Sequence, residues 1–460
     1  MRSTHKRPAL FGRLARRAAS WRRDRGGNVA ILFGLCLVPL IGGVGLGVDY
    51  YRGLSYKARL DAAADAAAIA AITTAQNYYN GNVGSQSDGQ AKKGAKDAGE
   101  AQGAKVFSVN AGSALATVPA SPVVTVSSKD RTFNASVTYS GQMPTAFGKL
   151  FNTPQLAIGG SAQSALTLGS YLDFYLLLDV SGSMALPTSA DGQKTMVSVN
   201  NGCVFACHFD GQQGYDTARK NNIQLRADSV GDAVGTLLET AQKTQTVPSQ
   251  FRVGLYPFIV HAMEAAKISN KFDDAKKVAS VLGSKYLDRG MSDPDTAPMG
   301  SGGTHFENVF PDLYGFIQNG NQPTGGDGSS PTKPKAFVFL VTDGGDNSQT
   351  FQNGSWCCGS KPQRPINFNP GGGYSNTYYC DYAKNNLNVT ISILYTPYLS
   401  MKDFNDGQSA AVEQIIPYIP GDLAACASPG FFFTANSHAD INAAMQAMFA
   451  QALQSARLTN

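Results

Sequence analysis

Asp179, Ser181 and Ser183 stand at alternate positions in the stretch Tyr175-Leu-Leu-Leu-Asp-Val-Ser-Gly-Ser-Met184, directly after an apolar run. A carboxylate and two hydroxyls converging where a strand meets a loop suit a hard divalent cation that prefers oxygen ligands. The plain alternative is a polar turn after a core strand, with the serines capping a helix.

The run before Asp179 has the pattern of a strand buried on both faces of a parallel sheet. From Tyr171 onward such strands alternate with amphipathic helical segments, which predicts an α/β domain with a Rossmann-like, mostly parallel central sheet flanked by helices. Strands are expected over 172–178, 252–259, 336–341, 389–395 and 431–434. Helices are expected near 223–243, 270–286, 306–318, 408–416 and 438–456. Ligands in such folds bind outside the carboxyl ends of the strands, and Asp179 occupies that end of the first one.

The D-x-S-x-S pattern resembles the metal-ion-dependent adhesion site (MIDAS) of von Willebrand factor A (vWA) domains. Ser301-Gly-Gly-Thr304 resembles the G-G-T loop that gives these domains a threonine ligand. Phe339-Leu-Val-Thr-Asp343-Gly-Gly-Asp-Asn resembles the L-V-T-D-G loop that brings a second aspartate. Each fragment alone is a common turn; three in the family's order, two of them at strand ends, make a strong signal. The resemblance implies a cation held by Asp179, Ser181, Ser183, Thr304 and Asp343, directly or through water, with Mg²⁺ first and Mn²⁺ or Ca²⁺ as alternatives. So few direct charges leave the ion electrophilic enough to accept an Asp or Glu carboxylate from a partner protein. The chain departs from the family after Thr304, where His305 and Phe306 follow; His305 reads as an ordinary loop histidine.

At 460 residues the chain predicts two or three folded parts. Residues 1–26 hold nine Arg or Lys against Asp24 alone, a local charge of +8 in a chain of net +5. The basic character belongs to one tail, which argues against a nucleic-acid-binding body. Val29 to Val48 follows as 20 residues without a charge. At about 1.5 Å per residue such a helix spans about 30 Å, enough to cross a bilayer core. The positive-inside rule then puts residues 1–26 in the cytoplasm, residues 27–48 in the membrane as a single pass, and the body outside. A cleaved secretory signal fits less well, because the run is long and enters Asp49-Tyr-Tyr-Arg52 without an A-x-A-like site.

The alanine-rich segment from Tyr56 to Ala71 predicts a helical stalk over 49–77. Residues 80–104 are polar and Gly-rich and read as a loop, and β-type segments follow up to Leu166. Residues 78–170 are therefore expected to form a small α+β spacer without a site. Gly27-Asn-Val-Ala-Ile, Gly47-Val-Asp-Tyr-Tyr and Leu60-Asp-Ala-Ala-Ala-Asp-Ala-Ala-Ala resemble the N-terminal region of TadG-like Flp/Tad pilus-assembly proteins. A processed pilin-type leader would want a Glu where Leu32 stands, so that processing is not expected. The remaining residues, 171–460, form the expected vWA domain, with insertions at about 185–222 and 344–378.

Cys36 lies in the apolar run, while Cys203, Cys207, Cys357, Cys358, Cys380 and Cys426 all fall in the large domain. An even number in an exported region points to disulfides, and six cysteines allow 15 pairings. The TadG-like resemblance pairs Cys380 with Cys426. Cys203 and Cys207, beside His208, also suggest a loosened haem-attachment motif or a zinc site, but a small disulfide loop needs nothing further. No phosphate-binding loop, nucleophile elbow, H-E-x-x-H or dinucleotide fingerprint occurs, which argues against an enzyme. The expected function is a membrane-anchored envelope protein of Tad/Flp pilus assembly or adhesion, working with pilus-assembly components and binding a partner through the cation. The alternatives are a metal-free scaffold and, less favoured, a hydrolase built on Ser181 or Ser183.

Overall fold

A computed structural model describes residues 26–83, 85–129, 131–204, 213–288, 297–319, 324–346, 350–352, 355–357, 368, 375–399 and 412–458. The chain divides into two compact units, one of residues 1–79, 90–128 and 133–166, the other of residues 80–89, 129–132 and 167–460.

In the first unit, the apolar run and the alanine-rich segment form one uninterrupted helix, α1 (Gly26–Asn82), of 57 residues. It is the one described helix long and apolar enough to cross a membrane. The expected stalk is not a free-standing rod. Leu60, Ala63, Ala64, Ala67 and Ala68 form a core with Phe107, Val137 and Tyr139, because small side chains at helical spacing make a flat face for close packing. Against this face lies α2 (Asp88–Ala111), where the sequence predicted a loop. Its buried positions are Ala91, Ala95, Gly99, Gly103, Phe107 and Ala111, a four-residue stripe that is almost entirely small. A Cβ on Gly99 would stand 2.7 Å from the Ala71 carbonyl oxygen, so the helices approach closely where these glycines lie. Strands β1 (Ala120–Lys129), β2 (Thr132–Pro144) and β3 (Gln155–Thr167) complete the unit as a sheet in the order β1-β2-β3. The Tyr139 hydroxyl donates to Asp61 Oδ1 at 2.6 Å, tying β2 to α1.

The second unit begins with β4 (Leu172–Asp179), every residue of which is buried. After it come α3 (Ala190–Val199), α4 (Gln213–Lys220), α5 (Arg226–Thr244), β5 (Phe251–Phe258), β6 (Ala266–Ser269), α6 (Asp273–Ser280) and α7 (Phe306–Gln318). Then follow β7 (Lys335–Thr342), the short hairpin strands β8 (Thr350–Gln352) and β9 (Ser355–Cys357), and α8 (Tyr378–Asn386). The unit closes with β10 (Val389–Tyr395), α9 (Ile419–Cys426), β11 (Phe432–Thr434) and α10 (His438–Leu458). The six-stranded sheet runs β11-β10-β7-β4-β5-β6. All pairs are parallel except β5 with β6, an edge strand too short for the sequence to announce. This is the mostly parallel α/β architecture that the strand pattern predicts. Its centre is aromatic: the Phe174 ring lies 5.3–6.2 Å from those of Phe251, Phe337, Phe339 and Phe449. Each such ring removed from water contributes about 1.5–3 kcal/mol.

Cys380 on α8 and Cys426 on α9 are joined, their Cα atoms 5.2 Å apart. Cys203 is also disulfide-bonded. Cys207, His208 and Cys358 lie outside the described residues, as does most of the insertion at 344–378. The Cys380–Cys426 bridge closes a loop of 46 residues in sequence separation. Replacing both cysteines by alanine is expected to lower the stability of the large unit by up to about 4 kcal/mol. Denaturant unfolding of the double variant checks this, and an unchanged midpoint would refute it.

Candidate metal centre

Strands β4 and β7 are neighbours in register from Leu172–Lys335 to Leu178–Val341, so their carboxyl ends open side by side. Asp179 closes β4 and Asp343 follows β7, and both are wholly buried. The chain leaves β7 through Gly344 at φ +75°, where a Cβ would come within 2.5 Å of Ile419 Cγ2. Only glycine fits that exit.

All five predicted residues stand in this one place. The Ser181 hydroxyl donates to Asp179 Oδ1 at 2.7 Å, and its backbone N–H donates to the same oxygen at 3.0 Å. Ser183 Oγ lies 3.2 Å from Ser181 Oγ, and the Thr304 hydroxyl donates to Ser181 Oγ at 3.0 Å. Asp343 Oδ1 accepts the Gly345 N–H at 3.2 Å. No group of three or more His, Cys, Asp and Glu with metal-binding geometry occurs among the described residues. A cation here would depend on hydroxyl oxygens beside two carboxylates, a hard-oxygen donor set that fits Mg²⁺, Mn²⁺ or Ca²⁺.

Four further residues complete the geometry; Thr342 lies within the L-V-T-D-G segment without a role assigned to it there, and Asp288, Arg226 and Tyr398 carried no sequence signal. The Thr342 hydroxyl donates to Asp179 Oδ2 at 2.6 Å, so hydroxyl donors serve both oxygens of that carboxylate. Asp288, 2% exposed, accepts from the Ser301 hydroxyl at 2.6 Å and from the Gly302 N–H at 2.9 Å, holding the loop that delivers Thr304. Arg226, at the start of α5, is buried and pairs with Asp343 at 3.4 Å. Its guanidinium lies 5.1 Å from the centre of the Tyr398 ring, and the Tyr398 hydroxyl bonds to Ser183 and Asp343. His305 is not an open loop histidine. It is buried, occupies the position just before α7 and places Nδ1 2.9 Å from Glu307 Oε1.

Burial, and after it the neighbouring Asp343 charge, pushes the Asp179 carboxyl up to about 7. The direction is what two like charges out of water require when no cation lies between them. Asp179 therefore keeps a proton in the native chain at pH values where the unfolded chain has released it. Stability consequently falls as pH rises from the ordinary carboxylate range to about 7.

These features define a class: the large unit is an α/β domain with a mostly parallel sheet, and the three loop segments that resemble the vWA pattern gather at one end of that sheet. Residues 27–77 match the family described as putative Flp pilus-assembly TadE/G-like. No curated protein matches the chain in sequence. Among solved structures it is similar to a mutant of the PilB minor pilin from Streptococcus sanguinis, at 12% identity and a TM-score of 0.35, over 74% of this chain and 79% of that one. It is similar also to the vWF domain of the type V pili tip protein Mfa5 from Porphyromonas gingivalis, at 10% identity and a TM-score of 0.35, over 64% and 97%. A third is proximal thread matrix protein 1 from the mussel byssus with a zinc-occupied MIDAS motif, at 14% identity and a TM-score of 0.33, over 62% and 49%.

Two outcomes follow. In chelator, the melting temperature of the large unit falls between pH 5 and pH 8, and Asp179→Asn flattens that slope while stabilising the unit at pH 8 by about 1–3 kcal/mol. A pH profile identical to that of the parent would refute it. Arg226→Met leaves the buried Asp343 charge without its cationic neighbour and costs about 3–5 kcal/mol in chelator. Added Mg²⁺ is expected to restore most of the loss, as melting of the variant with and without the ion will show.

Proposed function

We propose that this is a single-pass protein of the bacterial inner membrane whose large unit binds a partner protein through a divalent cation, in Flp/Tad pilus assembly or adhesion. The N-terminus is cytoplasmic and the body periplasmic or extracellular, in keeping with the basic tail before α1. One observation carries the reading of the site: Asp179, Ser181, Ser183, Thr304 and Asp343 converge at the carboxyl ends of β4 and β7. When bound, the cation supplies a Lewis-acidic position that accepts a carboxylate oxygen. The chain's own part is to hold the hydroxyls in place through Asp179, to fix the Thr304 loop through Asp288, and to keep water from both carboxylates. The role is one of binding, without turnover.

A second reading, a metal-free scaffold, draws on the Arg226–Asp343 pair, since the guanidinium already supplies positive charge to the site. Melting separates the two. A cation that binds only the native site stabilises it by about 2.7 kcal/mol at a hundredfold excess over Kd. Under the binding reading Mg²⁺ raises the melting temperature of the parent, and Asp179→Ala abolishes the rise together with surface attachment by piliated cells. If parent and variant respond alike to the ion, the scaffold reading stands.

A further inference from the structure

A short turn in the first unit lies against the part of α1 that the proposed anchor places inside the bilayer. Residues Gly148–Phe151 form a single 3₁₀ turn between β2 and β3. A methyl group on Gly42 would collide with the Phe151 ring, and one on Gly45 would stand 2.5 Å from Phe147 Cγ. These two glycines are buried on a helix whose other apolar residues at this level, Leu40, Val44 and Leu46, are exposed. Both belong to the uncharged run Val29–Val48. Gly42 precedes Tyr50 by eight residues, about 12 Å along the helix axis. Tyr50 and Tyr51, 63% and 72% exposed, stand beside Asp49 and Arg52, where an aromatic belt would mark the membrane surface.

The turn itself is apolar and open. Leu150 is 76% exposed and Phe151 48% exposed, although Phe151 also touches α1. Its backbone is prepared for a medium without water. Asp49, itself buried, accepts the N–H groups of Ala146, Phe147 and Gly148 at 2.9, 2.8 and 2.9 Å. The Leu150 N–H donates to the Phe147 carbonyl at 3.0 Å, and the Thr153 N–H to the Gly148 carbonyl at 2.9 Å. An unsatisfied backbone group is costly in hydrocarbon, and these five N–H groups are met within the chain. Lys149 beside them has a stem long enough to carry its charge back to the headgroups.

We propose that the turn Phe147–Phe151 is a second membrane contact, with Leu150 and Phe151 inserted among the acyl chains of the outer leaflet beside α1. The proposal rests on the anchor reading above. Length leaves little alternative: if the bilayer began below Gly42, only Val29–Ile41 would remain, 13 residues or about 20 Å against a core of about 30 Å. The consequence is that the first unit sits directly on the membrane, seated by α1 and the turn together.

Tryptophan quenching tests this in the full chain, reconstituted in phosphatidylcholine vesicles with dibrominated acyl chains. Each variant is read as its difference from the parent's own Trp21 and Trp356. Val38→Trp reports the anchor, Leu150→Trp and Phe151→Trp report the turn, and Val109→Trp on α2 reports the region outside. Expected are blue-shifted, quenched emission at 38, 150 and 151, and unquenched emission at 109. Quenching at 38 with none at 150 and 151 would overturn the proposal and leave the anchor standing. No quenching at 38 would remove the anchor reading and the proposal with it. Because Leu150 is exposed, Leu150→Trp is expected to fold even if Phe151→Trp does not.

Discussion

Two carboxylates held out of water at the ends of neighbouring strands set the terms for the large unit. Asp179 and Asp343 repel one another, and burial strengthens that repulsion by removing the screening that water would supply. What surrounds them is compensation: hydroxyl donors from Ser181 and Thr342, a backbone N–H from Gly345, and the Arg226 guanidinium. The sheet exists in this form partly to make the placement rigid. With β4 buried along its whole length and paired on both sides, neither aspartate can retreat into solvent without opening the core.

That arrangement gives the site a choice between two positive charges. Arg226 is tethered to α5 and reaches one oxygen of Asp343 at a long 3.4 Å. A small divalent ion would carry twice the charge and address both carboxylates and the hydroxyls together. The guanidinium also rests on the Tyr398 ring, and Tyr398 in turn bonds to Ser183. Arg226, Asp343, Tyr398 and Ser183 thus form one packed and hydrogen-bonded cluster at the site.

The strands around the site were legible because parallel strands buried on both faces read as continuous apolar runs, and Leu172–Asp179 and Lys335–Thr342 are such runs. The loop residues Ser181, Ser183, Thr304 and Asp343 were legible through their motif context. Asp288 and Arg226 were not, because their meaning arises only from partners 13 and 117 positions away, which no local pattern encodes. Helix α2 was hidden for a different reason. Apart from Phe107 its buried face is Ala and Gly, whose burial follows from close helix packing and not from the apolar bulk that periodicity detects. The short edge strand β6 and the cap formed by Asp49 were likewise products of tertiary contact.

The continuity of α1 has a geometric consequence of its own. Gly42, Gly45, Asp49, Gly53, Leu60, Ala63, Ala67 and Ala71 are buried along one side of the same helix. Its apolar segment and its alanine face are thus locked in rotational phase, since each residue turns the axis by about 100° and raises it by about 1.5 Å. One residue inserted between Asp49 and Leu60 would put the two faces out of phase, though it would change no contact chemistry. The linking segment therefore works as a ruler and a protractor at once, and its length is as much a part of the design as its composition.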